Sequence, residues 1–176
     1  MAINPRIAAT AAAAVLATAI AVPSEGVRFS PYYDPPGILT VCRGHTGEDV
    51  IKGKKYSLAE CEQFLTDDMH KAIAAVERCV PGLPVEVLAA FGDAVFNLGP
   101  IIVCNAQKST AARLLKAGNV RGACEQLPRW NQASVAGVMV ALPGLTSRRE
   151  KERKLCLTPF QASNPTPTKA ASFYWP

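Results

Sequence analysis

From Ile7 to Val22 the chain reads IAATAAAAVLATAIAV, sixteen uncharged residues of which nine are alanine, preceded by Arg6. As a helix this run covers about 24 Å, against a membrane hydrocarbon core of roughly 30 Å. Its length and alanine content predict a span with a weak hold. A basic residue ahead of the run and the small-residue sequence Ala19-Ile20-Ala21 also fit a cleaved signal peptide. Beyond it the rhythm changes. Residues 29–46 alternate aromatic, proline and β-branched positions, which predicts a small β-hairpin. At Ser57-Leu58-Ala59-Glu60 a capping box opens a helix whose apolar positions Leu58, Cys61, Leu65, Met69, Ala72 and Val76 recur every three or four residues. Pro81-Gly82-x-Pro84 ends it and starts the next, in which Val85–Leu98 is apolar nearly all round and therefore belongs at the centre of a core. Length, Glu86 and Asp93 argue against that segment as a second membrane span. Shorter helices are predicted near Thr110–Lys116 and Val120–Leu127. Ser147-x-x-Glu150 repeats the capping signature and predicts a final helix to about Leu157. The Pro/Ser/Thr-rich remainder, with Phe173-Tyr174-Trp175 near its end, reads as a disordered tail.

This pattern divides the chain into an apolar segment at 1–23, one domain at 24–158 and a tail at 159–176. The middle part has a comfortable single-domain size. Net charge is +5. Much of it sits in Arg148, Arg149, Lys151, Arg153 and Lys154, interleaved with Glu150 and Glu152. That run reads either as a solvated helix face or as a surface attracted to an acidic polymer, such as a bacterial cell wall. Sparse aromatics and the absence of any nucleic-acid motif make nucleic acid the weaker partner. Six cysteines, Cys42, Cys61, Cys79, Cys104, Cys124 and Cys156, lie outside zinc spacings, and only two histidines accompany them. No metal or cofactor is expected. An even count behind an apolar N-terminal segment points to disulfides in an oxidising compartment. Six cysteines allow fifteen connectivities.

The chemistry is concentrated in SEGVRFSPYYDPPGILTVCRGHTG, where Glu25, Asp34 and Thr40 follow one another as Glu-x8-Asp-x5-Thr. Hydrolysis of a glycosidic bond needs one carboxyl that stays protonated to donate to the leaving oxygen. It needs a second that stays ionised to activate water or stabilise the cationic sugar. Alone, such a pair is usually two solvated surface charges. Here it lies within Glu25-Gly26, Tyr32-x-Asp34-x-x-Gly37-x-x-Thr40-x-Cys42-x-Gly44-His45. At these positions the chain resembles the phage-type lysozymes, the muramidases of bacteriophage endolysins. Cys42 stands where soluble members usually carry glycine, and membrane-tethered members share the V-C-x-G-H-T run. Further matches are Phe96-Asn97-x-Gly99, Ser109-Thr110 with Leu114-Leu115, Gly122-Ala123-Cys124, Trp130, and Gly144-Leu145-x-x-Arg148-Arg149-x-x-Glu152, so that the resemblance covers residues 24–157.

The resemblance implies a lysozyme-like α+β fold, mainly α, with the small hairpin lobe and a larger helical lobe flanking a cleft. It implies an inverting muramidase cutting the β-1,4 bond between N-acetylmuramic acid and N-acetylglucosamine in peptidoglycan. Glu25 would be the general acid, its carboxyl raised by burial against apolar residues. Asp34 would be the ionised partner, oriented by the turn at Pro35-Pro36-Gly37, and Thr40 would help it hold the water. Phe96 and Asn97 would line the cleft, and His45 would be structural. The expected disulfides are Cys42–Cys61, Cys124–Cys156 between helices that the resemblance places side by side, and Cys79–Cys104. The chain also resembles the signal-anchor-release endolysins of phages, which implies that residues 7–22 tether a monomer to the inner membrane. The catalytic domain would then face the periplasm until release, with a holin or pinholin as functional partner. A cleaved signal remains the alternative for 7–22, although it would leave Glu25 four residues from a free end. A lysozyme-like lytic transglycosylase would need only the glutamate. A non-catalytic, disulfide-stapled envelope-binding protein would have no need of all three polar residues.

Overall fold

The computed structural model describes residues 4–34, 37–135 and 137–161. Helix α1 spans Pro5–Ala21 and continues through a 3-10 turn, Val22–Ser24. Asn4 caps its start by accepting from the Arg6 amide, with Pro5 in the first turn where no N–H is needed. The helical run, Pro5–Ser24, is thus 20 residues long and apolar enough to cross a membrane, longer than the sixteen-residue run predicts. In the folded chain it lies on the protein core. Ala13, Ala14, Ala17 and Ala21 are buried in one cluster with Val87 to Phe91 and Ala94 of α3 (Val85–Leu98) and with Leu65, Met69 and Ile73 of α2 (Leu58–Cys79). The segment read as separate from the domain therefore supplies one wall of its core.

Alanine is what makes this packing possible. Gly92 of α3 faces it, and a Cβ on Gly92 would stand 3.9 Å from the Ala17 Cβ and 2.2 Å from Ile73 Cδ1. Small residues on both helices let the backbones approach closely, and the dense interior leaves no room for a methyl group at Gly92. Around this centre lie α4 (Ile101–Cys104), α5 (Thr110–Lys116) and α6 (Val120–Cys124), then a 3-10 turn, Leu127–Trp130. Helix α7 runs Pro143–Gln161. Its start lies four residues before the predicted Ser147, because Pro143 opens the first turn and the Thr146 amide already donates to Leu142 O at 2.9 Å. Residues 159–161, read as tail, are still helical. The remainder of the predicted tail, including Phe173-Tyr174-Trp175, lies outside the described residues.

The second lobe is a three-stranded antiparallel sheet of β1 (Arg28–Tyr33), β2 (Leu39–Cys42) and β3 (His45–Thr46). Tyr32 pairs with Thr40 and Val41 with His45. A small core of Val41, Cys42, Val50, Tyr56 and Cys61 holds it to the start of α2, where the Ser57–Glu60 capping box is present in both directions. Of the apolar positions predicted for α2, Leu58 is exposed and the others are buried. A second hairpin, β4 (Gln132–Val135) with β5 (Val138–Ala141), was not predicted. Its Val135↔Val138 register is closed at Gly137, whose φ of 83° suits glycine. The V-A-G-V run is the turn signal that marks it.

Three disulfides join Cys42 to Cys61, Cys79 to Cys104 and Cys124 to Cys156. Cys42 has a φ of 59°, and among the described residues it is the one non-glycine at positive φ. A glycine at this position would fit that backbone without steric cost.

Candidate active site

Glu25 directly follows the 3-10 turn that ends the α1 run. Its amide donates to Ala21 O at 3.0 Å, so the helical hydrogen bonding reaches the residue itself. Its carboxylate accepts from Arg148 Nη1 of α7. The apolar pocket expected for Glu25 is therefore not what surrounds its carboxyl; the partner is a guanidinium. Arg148 is shared in turn. Its Nε and Nη2 donate to Asp93 Oδ2 and Oδ1 at 2.9 and 2.8 Å, a two-pronged grip from the centre of α3. Burial works against the Arg148 charge, but the Asp93 and Glu25 carboxylates together more than offset it, Asp93 the more, and raise the guanidinium above its ordinary value. One buried cation thus stands between two carboxylates, and Asp93 limits how much of its charge falls on Glu25.

Arg149 and Glu152 complete the cluster. Both are fully buried, and Arg149 Nη2 approaches Glu152 Oε1 to 2.7 Å, too far off line to count as a hydrogen bond. Burial lowers the Arg149 guanidinium. Burial also pushes the Glu152 carboxyl well above its usual range, with Asp93 alongside adding to it. Arg149 Nη2 also donates to Asn97 Oδ1 at 3.1 Å, which fixes that amide at the edge of the site. These contacts correct the reading of 148–154 as a solvated or wall-facing charged face. Lys151 and Lys154 are exposed, but Arg148, Arg149 and Glu152 point into the protein. Sequence reasoning missed Asp93 and Arg148 as parts of the site. The available signal was an aspartate in the middle of an otherwise apolar helix, which needs a buried partner of opposite charge.

Glu25 borders two hollows. One, of about 360 Å³, is lined by Arg43, Gly44, Thr46, Asp68, Lys71, Phe96 and Asn97 as well as Glu25. The other, of about 290 Å³, runs past Ser24, Glu25, Asn97, Leu142, Leu145 and Arg148. The structure thus brings Phe96 and Asn97 to the same cleft as Glu25. Asp34 and Thr40 line neither hollow. Asp34 closes its own turn, its Oδ1 accepting from the Ile38 amide at 2.7 Å while its amide donates to Ile38 O. Pro35 and Pro36, expected to stiffen this turn, lie outside the described residues. Thr40 is buried, and its hydroxyl donates to Ile38 O at 3.0 Å. His45 faces Asp68 at 2.6 Å and Asp49 at 3.1 Å with its two ring nitrogens and stacks on Phe64 at 3.9 Å. With both nitrogens occupied, it ties β3 to α2.

The model of the family described as phage lysozyme matches residues 23–152. A SAR-endolysin of bacteriophage PS119 is 36% identical over 170 residues, 89% of this chain and 98% of that protein. The crystal structure of the active form of P1 phage endolysin Lyz superposes with a TM-score of 0.62 at 28% identity, covering 82% of this chain and 84% of the other. A mutant of P22 lysozyme gives a TM-score of 0.63 at 27% identity over 80% of this chain and 94% of its own. The α+β, mainly helical architecture is that of these enzymes. With a lysozyme-like fold, a glutamate at the cleft between its lobes and a family match over most of its length, the chain belongs to the phage lysozymes, glycoside hydrolases that degrade peptidoglycan in host lysis.

Proposed function

We propose that Glu25 is the general acid of an inverting muramidase that cuts the β-1,4 bond between N-acetylmuramic acid and N-acetylglucosamine. The observation that carries this reading is the placement of Glu25 at the cleft, fixed by the helical turn behind it and by the buried Arg148 beside it. Asp34 supplies the second carboxylate. With Oδ1 committed to the Ile38 amide, the other oxygen is the one to take a proton from water. Thr40 commits its hydrogen to Ile38 O, so its hydroxyl presents lone pairs and serves as an acceptor that orients the same water. Phe96 and Asn97 contact the glycan from the helical lobe.

Residues 7–22 hold the newly made, monomeric chain in the inner membrane, with the rest in the periplasm as Arg6 and the positive-inside rule dictate. Release of the segment, timed by a holin or pinholin, lets it become α1 and complete the site. Two features support retention over cleavage. Removing residues up to Ala21 would strip Ala13, Ala14 and Ala17 from the core, and it would detach the helix on which the Glu25 amide hangs.

The test uses the full chain, because α1 is part of the core. Purified released protein is assayed by turbidity on permeabilised Gram-negative cells, and product ends are analysed. Glu25→Gln should lower hydrolysis by about 10²–10⁴-fold, the scale of general acid catalysis. Asp34→Asn should also be severely impaired, and new ends should be reducing sugars. An active Glu25→Gln enzyme, or anhydro ends, would refute the assignment, the latter in favour of a transglycosylase.

A further inference from the structure

Arg43 sits on the turn between β2 and β3, across the lobe boundary from α1. Its Nη1 donates to two main-chain carbonyls, Val22 O at 3.1 Å and Glu25 O at 2.7 Å. Val22 opens the 3-10 turn just past α1 and Glu25 directly follows that turn, so both oxygens lie where a helix end leaves carbonyls without intrahelical partners. The neighbouring ones are satisfied locally: Thr18 O accepts from the Val22 amide, Ala21 O from the Glu25 amide, and Ile20 O from the Ser24 hydroxyl at 2.8 Å. The helix carries no basic residue in its last turn. The cation that a helix C-terminus favours comes instead from the other lobe, through Arg43.

We propose that Arg43 is a positioning residue that couples docking of α1 to the placement of Glu25. Arg148 holds the Glu25 carboxylate, and Arg43 holds the main chain on both sides of the turn that carries it. The clamp needs Val22 and Glu25 together beside the β2–β3 turn. The inference rests on the release reading above. While residues 7–22 lie in lipid, Val22 stays at the membrane surface, and the β lobe cannot close on both carbonyls. When α1 folds onto α3, the two oxygens arrive as a pair and Arg43 fixes the segment. The sheet lobe thereby registers that the helix has left the membrane.

The test compares wild type, Arg43→Gln, Arg43→Lys and the control Glu25→Gln, each full length and released, on soluble peptidoglycan fragments, with amide hydrogen exchange measured alongside. Arg43→Gln should lower kcat by about tenfold or more with KM nearly unchanged, the scale expected when a catalytic group is slightly misplaced. Arg43→Lys should recover part of the loss, because an ammonium keeps the charge and the N–H donors but sits on a side chain one atom too short to bring them to where Nη1 meets both carbonyls. Exchange at the Glu25 amide, bonded to Ala21 O, should quicken in Arg43→Gln while α2 and α3 stay protected. Should Arg43→Gln fail to fold, Arg43→Lys carries the test by the same split between kcat and KM. Wild-type kcat in Arg43→Gln, a change confined to KM, or unaltered exchange at the Glu25 amide would overturn the proposal. A change confined to KM would mark Arg43 as a substrate contact. If Glu25→Gln proves active, the acid assignment fails separately, and the exchange result still decides the clamp.

Discussion

On the proposed release from the membrane, helix α1 has to be stable in two solvents, and the structure separates the residues that would matter in each. Ala13, Ala14, Ala17 and Ala21 face the protein core, whereas Ala8, Ala11, Ala12 and Ala19 face outward. Replacing the outward four with leucine adds three carbons at each site. At roughly 0.8 kcal/mol per buried CH₂, this favours the membrane-embedded state by about 2 kcal/mol per site, on the order of 8–10 kcal/mol together. The released fold gains little in return, since those positions stay in water, so the variant should remain tethered. Leucine at Ala13, Ala14 and Ala17 would strengthen the membrane hold to a similar degree per site. It would also overfill the seam against Gly92 and Ile73, at about 1–3 kcal/mol per site. The assay is the partition between alkali-resistant membranes and soluble periplasm, with the time to lysis and the activity after detergent extraction. Both variants should stay in the membrane and delay lysis. On extraction the outward-leucine enzyme should recover activity, and the inward-leucine enzyme should not. An outward-leucine variant that appears in the soluble fraction and lyses on the wild-type schedule would refute the reasoning.

Glu152 offers a pH test. Burial raises its carboxyl in the folded chain above the unfolded value of about 4.3. Above that pH the native state gives up this carboxyl proton later than the unfolded chain does. This term stabilises below that pH and is lost as pH rises towards the folded value. Glu152→Gln cannot ionise, so its stability relative to wild type should increase from pH 4.5 to pH 8 in urea titrations; a constant or falling difference contradicts a neutral Glu152. Replacing Cys124 and Cys156 with serine opens a bridge between residues 32 apart and should lower unfolding free energy by about 3–4 kcal/mol by denaturant titration, whereas an unchanged midpoint would mean that the crosslink adds nothing.

Local signals read from the sequence alone include the α2 capping box, the apolar α3 and the Glu25–Asp34–Thr40 run. Each depends on neighbours within one or two turns, and such short-range chemistry is written in residue order. Cys42 could be marked as unusual from sequence, but its positive φ required the folded turn. The start of α7 and the β4–β5 hairpin depended on Pro143 and Gly137, weaker punctuation than a capping box. What only the tertiary structure decided is where charges and small residues meet. Arg148 and Arg149 look like a solvated helix face until Asp93, 55 residues earlier, is brought against them. The α1 alanines read as a diluted membrane span until Gly92 lies opposite. Composition cannot separate these uses, because an alanine-rich helix suits both a weak hold in lipid and close packing on a protein core. Which solvent it occupies is set by the partner surface, and that surface exists only after the chain has folded.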